Sequence, residues 1–296
     1  MNKLLAVIAT AFCAVAFAQD FSKVEIKTTK LSDTVYFLAG AGGNIAVSAG
    51  ADSVFVVDDQ FAPLAPKITA AIAAISPKPI QFIFNTHWHG DHVGGNEAMG
   101  KAGAIIVAHE NVRRRMSTDQ FMAFMKTNVP ASPKVALPIV TFNGSINFHL
   151  NGEDIRIVHA PQAHTDGDAM VYFAGSDILH MGDVYFNGFY PFIDAGSGGT
   201  IEGTIAACDM ALGMVTDKSK IIPGHGPVST RAELVAYRDM LRTIMGRVRS
   251  AINEGKSDEQ IAAADLSKDL DEKWGKGFLK PAEFAGMVAA MMRRKP

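Results

Sequence analysis

Cysteine is almost missing: the chain has two in 296 residues, and only Cys208 lies beyond the first eighteen positions. One thiol can build neither an intramolecular disulfide nor a cysteine-rich metal cluster, so stability must come from an apolar core. A surplus of one charge is missing too. With 28 basic against 30 acidic residues and a net charge of -2, the chain lacks the extended basic surface that nucleic acid requires. Arg113-Arg114-Arg115 and Arg293-Arg294-Lys295 are the local exceptions, and both read as solvated helix faces. There is no Gly/Ser linker, low-complexity tract or repeat of 20 to 50 residues, which excludes arrays and solenoids.

Long apolar runs are also scarce, and the single one, Leu4 to Ala18, stands at the start. It follows Asn2-Lys3, ends in Ala16-Phe17-Ala18 and falls short of the ~20 residues that span a bilayer. That pattern predicts a secretory signal peptide over residues 1–18 and an exported, periplasmic protein with no membrane segment in its mature form. Removing eighteen of 296 residues leaves 278, residues 19–296, read as one domain. Cys208 falls in the helical pattern Ile201 to Leu212 and is expected to be a small buried apolar residue.

Short strand-like runs open this domain at Val24 to Thr28, Thr34 to Leu38, Asn44 to Ser48 and Ser53 to Val57, the signature of an antiparallel meander. A helix over Leu64 to Ser76, a buried strand over Ile80 to Asn85, a strand over Ala104 to Ala108 and a helix over Glu110 to Lys126 follow. A second β-rich block runs through residues 139–142, 146–150, 155–159, 169–173 and 178–181, with another strand at 220–222. The tail is helical, opened by Thr230 as N-cap with Glu233 as its capping-box partner. Two β-rich blocks flanked by helices predict an α/β fold, a four-layer αββα sandwich that buries both apolar faces of each sheet.

The chemistry concentrates in Thr86-His87-Trp88-His89-Gly90-Asp91-His92, directly after the strand Ile80 to Asn85. Four metal-capable side chains fall within six residues, with His87 and His89 on one side of an extended loop and Asp91 and His92 able to turn toward a second point. Three later candidates follow strand-like runs or sit in Gly-rich turns: His164, Asp183 and His225. Imidazole and carboxylate ligands without thiolate suit zinc, iron or manganese, with zinc the usual metal for hydrolysis. His109, His149, His159 and His180 have no second ligand at a suitable spacing and are expected to be structural.

With these stations in order, the sequence resembles the metallo-β-lactamase superfamily over nearly all of residues 19–296. The resemblance implies that His87, His89 and His164 hold one metal, that Asp91, His92 and His225 hold another, and that Asp183 bridges the two. It implies two Zn2+ per chain that generate a hydroxide nucleophile, with Asp91 both ligand and catalytic residue. Asp58 corresponds to an acidic residue behind the site.

Subfamily features point to an exported hydrolase of small molecules. Ala163-His-Thr-Asp, Leu179-His-Met-Gly-Asp and Ile222-Pro-Gly-His-Gly resemble β-lactamases that carry a cysteine where this chain has Asp183. Phe186 stands where many of them carry a lysine for the lactam carboxylate. The first expectation is cyclic-amide hydrolysis of the β-lactamase type, weak or promiscuous. Phosphodiesterase, lactonase or thioesterase activity comes next, and an iron-dependent oxidoreductase is the alternative from another class. Asn187 and Tyr190 are candidate substrate contacts, Ser197 to Thr200 a candidate anion cradle, and Met116 to Met125 either a pliable pocket wall or a core-facing helix.

Overall fold

The computed structural model describes residues 20–294; the expected leader, residues 1–18, and Lys295 lie outside them. The first sheet opens with β1 (Lys27–Lys30), β2 (Val35–Ala39), β3 (Ile45–Ala49) and β4 (Val54–Val57), all antiparallel neighbours. It continues in parallel through β5 (Ile80–Asn85) and β6 (Ile105–His109). A separate hairpin, β7 (Gln120–Met122) and β8 (Thr127–Val129), then intervenes before β9 (Val140–Phe142) closes the sheet beside β6. The second sheet is the meander β10 (Ser145–Leu150), β11 (Glu153–His159), β12 (Ala169–Phe173) and β13 (Ile178–His180), with β14 (Lys220–Ile222) added parallel to β13.

The helices are α1 (Ala65–Ile75), α2 (Gly90–Val93), α3 (Asn96–Lys101), α4 (Glu110–Met116), α5 (Ile201–Met214), α6 (Arg231–Asn253), α7 (Asp258–Ala262), α8 (Asp271–Trp274) and α9 (Pro281–Arg293). Successive strand residues point to opposite faces, and inner strands such as β3 and β4 are covered on both. Phe37, Phe55, Val57 and Phe84 of the first sheet meet Ile155, Ile157, Val171 and Ile222 of the second. On the far side of the first sheet, Leu38, Val47, Val56 and Ile83 pack on Ile68 and Ile72 of α1. Met170, Leu179 and Ile221 pack outward against Cys208 of α5, Leu241 and Ile244 of α6 and Val288 of α9. This is the four-layer sandwich. Cys208 is fully buried, and burial pushes its thiol pKa up.

One helix is shorter than its pattern predicts. The segment expected to be helical over Glu110 to Lys126 ends at Met116, and residues 120–129 form the hairpin instead. Side-chain bonds compete with the helix there: the Ser117 hydroxyl donates to Arg114 O at 2.8 Å, and Asp119 Oδ1 accepts the Ala131 N–H at 2.9 Å. Beyond that point Met122 tucks inward while its neighbour Phe121 is 61% exposed, the alternation of a strand. β1 also lies later than the predicted run Val24 to Thr28. The capping box of Thr230 and Glu233 is present at the start of α6.

Strand direction decides where the chemistry lies. β4 and β5 run parallel, so Asp58 and the segment from His87 to His92 emerge from the same edge of the first sheet. β11 runs with β13 across the antiparallel β12, and β14 is parallel to β13. The segments after β11, β13 and β14, which carry His164, Asp183 and His225, therefore also leave one edge together.

Candidate metal centre

These two edges coincide. Ligand-capable atoms of His87, His89, His164 and Asp183 lie within 4.8 Å of one another, and those of Asp91, His92 and His225 form a second such group. Asp183 joins them. Its Oδ2 faces His87 Nε2 at 3.7 Å and His164 Nε2 at 3.6 Å, while Oδ1 faces His92 Nε2 at 3.1 Å and His225 Nε2 at 3.4 Å. Asp91 Oδ2 closes the second group, 3.3 Å from His225 Nε2 and 3.6 Å from His92 Nε2.

Bracing from behind sets which nitrogen of each ring faces inward. His92 Nδ1 donates to Asp58 Oδ2 at 2.7 Å, and the same carboxylate accepts the Thr86 hydroxyl and N–H, each at 2.8 Å. Thr86 Oγ1 in turn lies 3.1 Å from His87 Nδ1. Asp58 thus steadies one ring of each group, the arrangement that orients metal-binding histidines. His164 Nδ1 donates to Phe192 O at 2.8 Å. His89 is turned the other way: its Nε2 donates to Asp194 Oδ2 at 3.1 Å, leaving Nδ1 toward His164 Nε2 at 2.9 Å. The Ser197 hydroxyl donates to Asp194 at 2.6 Å and receives the Trp88 indole N–H at 3.1 Å. Asp194 and Trp88 had no sequence signal beyond their proximity to the motifs, and Ser197, expected in an anion cradle, instead links the two.

Backbone shape helps to crowd the ligands. Gly182 has φ +51°, which presents the Asp183 turn under Thr86, and a Cβ at Gly224 would collide with Asp183 Oδ1. His180, expected to be structural, is buried behind this turn, with Nε2 donating to Asn44 O at 3.0 Å and Nδ1 accepting the Gly182 N–H at 3.1 Å.

The residues fit a binuclear metal. His87 Nε2 and Asp183 Oδ1 are buried without a hydrogen-bond partner, an arrangement that is costly unless a cation satisfies both. The charge pattern agrees. Burial lowers the pKa of His87 well below the imidazole range and that of His164 to about 4, so both rings offer lone pairs. Burial opposes the charged form of Asp91, but His92 and His225 outweigh it and hold that carboxylate at about 2. Asp183 is likewise lowered well below the carboxylate range, because His92 and His225 overcome the cost of its burial.

Two expected substrate contacts have their polar groups engaged within the protein. Tyr190 is buried, its hydroxyl donates to Asp271 Oδ1 at 2.8 Å, and its ring stacks on Phe284 with centroids 4.7 Å apart. It belongs to the packing of the helical tail, because an apolar ring with one polar tip is satisfied there. Asn187 Nδ2 donates to Pro227 O at 3.1 Å and its N–H to His225 O at 2.9 Å, so it braces the segment that carries His225. The candidate anion cradle is likewise occupied by capping: Thr200 Oγ1 accepts the Gly203 N–H at 2.9 Å. Phe186, in contrast, stacks on His225 with centroids 5.2 Å apart.

A four-layer sandwich thus carries at one edge a ligand set that fits two metal ions. The sequence pattern of the metallo-beta-lactamase superfamily matches residues 34–232, and the chain belongs to that superfamily. It is 27% identical over 183 residues to a hydroxyacylglutathione hydrolase of Gloeobacter violaceus, covering 59% of this chain and 61% of that one. It is 22% identical over 292 residues to an alkyl/aryl-sulfatase of Saccharomyces cerevisiae, covering 83% of this chain and 45% of the relative. The chain thus spans about half to three fifths of the length of the first curated relatives it matches. Among solved structures, a metallo-beta-lactamase from Pontibacter korlensis superimposes with TM-score 0.62 at 18% identity, over 74% of this chain and 99% of the other.

Proposed function

We propose that this protein is an exported, binuclear zinc hydrolase that cleaves an acyl bond in a small substrate. A cyclic amide of the β-lactam type is the first candidate, and a lactone or thioester is the next. The observation that carries the reading is Asp183, whose two carboxylate oxygens face two separate groups of imidazoles. Two zinc ions held there would supply Lewis acidity at a carbonyl and activate water near neutral pH. His87, His89 and His164 would hold one, Asp91, His92 and His225 the other, and Asp183 would join them.

The chain's own residues do the rest. The Asp91 and His225 side chains are 24% and 23% exposed, whereas those of His87, His92 and His164 are buried. These two therefore meet substrate and water. Asp91 stays ionised at neutral pH and acts as the hydrogen-bond acceptor that orients the attacking water. Phe186 on His225 and Phe192, 5.9 Å from the His164 ring, supply an apolar rim. Among the described residues no lysine or arginine pairs with any of the seven ligands. Those features favour an uncharged reacting group. Export rests on the leader pattern of residues 1–18.

The test is metal content together with turnover of a chromogenic cephalosporin, a lactone, a thioester, a phosphodiester and an aryl sulfate. The last is included because the sulfatase match spans 83% of the chain. Two zinc ions and acyl-bond cleavage are expected. Iron with oxygen consumption, or turnover confined to the phosphodiester or sulfate, overturns the reading.

A further inference from the structure

A second compartment adjoins the ligand cluster. Between α9 and the segment 192–196 lies a cleft of about 300 Å³, its apolar walls formed by Phe124, Phe192, Ala195, Met287, Ala290 and Met291. That volume is at the lower end of small-molecule sites. The charged groups on its rim are engaged: Asp194 with His89 and Ser197, Glu283 with the Lys280 N–H at 2.8 Å, and Arg294 with Ala195 O at 2.9 Å. The space left over is apolar.

The inner wall of the cleft is also the outer wall of the metal centre. Phe192 lines it while its ring sits 6.1 Å from that of His89 and its carbonyl holds His164 Nδ1. Asp194 lines it too, and the same carboxylate accepts from His89. On the outside, Phe124 at the tip of the β7–β8 hairpin lies 5.2 Å from Phe192 and 6.1 Å from Phe278, and these outer rings are 42% and 65% exposed. Phe192 is thus shared by the ligand cluster, on its inner side, and by the cleft, on its outer side. Open apolar surface of this kind beside a reactive centre gains most by covering a hydrocarbon.

We infer that this cleft binds an alkyl or aryl arm of the substrate, extending from the bond cleaved at the ligand cluster. The inference deepens the proposed acyl-bond chemistry and rests on it. Each methylene that enters the cleft should raise kcat/KM by up to roughly fourfold.

The experiment compares 4-nitrophenyl esters from acetate to octanoate on the zinc-loaded full chain, with Ala290→Trp to fill the cleft and Met287→Gln to make its wall polar. The expected result is an octanoate-to-acetate ratio in kcat/KM above tenfold for the unaltered protein, falling toward one in both variants. A ratio that is flat in the unaltered protein, or equal in all three, overturns the inference. Thermal melting identifies a variant that fails to fold, and the other then decides. Should no ester turn over, the acyl-bond reading is decided by the cephalosporin, lactone and thioester assays, and calorimetry with the uncleavable N-octylacetamide reads the cleft directly. Binding lost in the variants supports the inference; no binding, or equal binding in all three, overturns it.

Discussion

Asp194 Oδ2 lies 3.1 Å from His89 Nε2, across 105 residues of sequence, and this contact turns the His89 ring so that Nδ1 faces the ligand cluster. Carboxylate partners of this kind fix the tautomer and raise ligand basicity. Asp194→Ala should weaken binding of one metal by about 10- to 100-fold, with a milder loss in Asp194→Asn, which keeps an acceptor. Competition titration with a chromophoric chelator measures it, and unchanged affinity in both variants would show that His89 needs no such support.

Asp183 faces both groups of ligands, so its removal should be felt at both. Asp183→Ala is expected to lose both metals and all hydrolytic turnover. The side chain is buried in a polar cluster, so circular dichroism must accompany the metal analysis. A folded variant that retains two ions would refute the bridging role.

Metal uptake should release protons. In the metal-free protein burial disfavours the His225 imidazolium, but the Asp183 and Asp91 carboxylates outweigh it and raise the pKa to about 9. A metal requires the neutral ring. At pH 7 that proton must leave, so affinity should climb with pH up to about 9, by roughly tenfold per unit for each proton displaced. Calorimetry at pH 7 in buffers of different ionisation enthalpy counts the protons; a value of zero contradicts the assignment.

Phe186 covers His225 where a cation could stand. Phe186→Lys should lower KM for a carboxylate-bearing cephalosporin by about three- to tenfold, equivalent to roughly 1 kcal/mol, and leave a neutral ester indifferent. It should also lower Tm, because a ring only 7% exposed is lost. Equal changes for both substrates would mean that the substitution only disturbs packing.

Much of this is legible in the sequence. The paired β-rich blocks, the strand Ile80 to Asn85, the Thr230–Glu233 capping box and the seven candidate ligands all left local marks: alternating apolarity, Gly-bounded turns and imidazoles at close spacing. The helix expected to reach Lys126 failed because Ser117 and Asp119 offered the backbone competing bonds. Tyr190 failed because nearness to Asp183 in the chain says nothing about which way a ring turns, and this one turned to Asp271 and Phe284.

Local order along the chain was enough to name the kinds of atoms that would bind a metal, since a ligand's chemistry belongs to its side chain wherever it lies. It was enough too for the layers, because the period of apolar residues dictates which faces must be buried. Cysteine scarcity now has a plain meaning: Cys208, the one cysteine among the described residues, is core, and the described ligand cluster is built of nitrogen and oxygen donors. The bracing of His89 by Asp194, and the cleft shared through Phe192, came only with folding. Both depend on strand direction and on loops meeting across two sheets, and such distances between residues far apart in sequence are settled by packing.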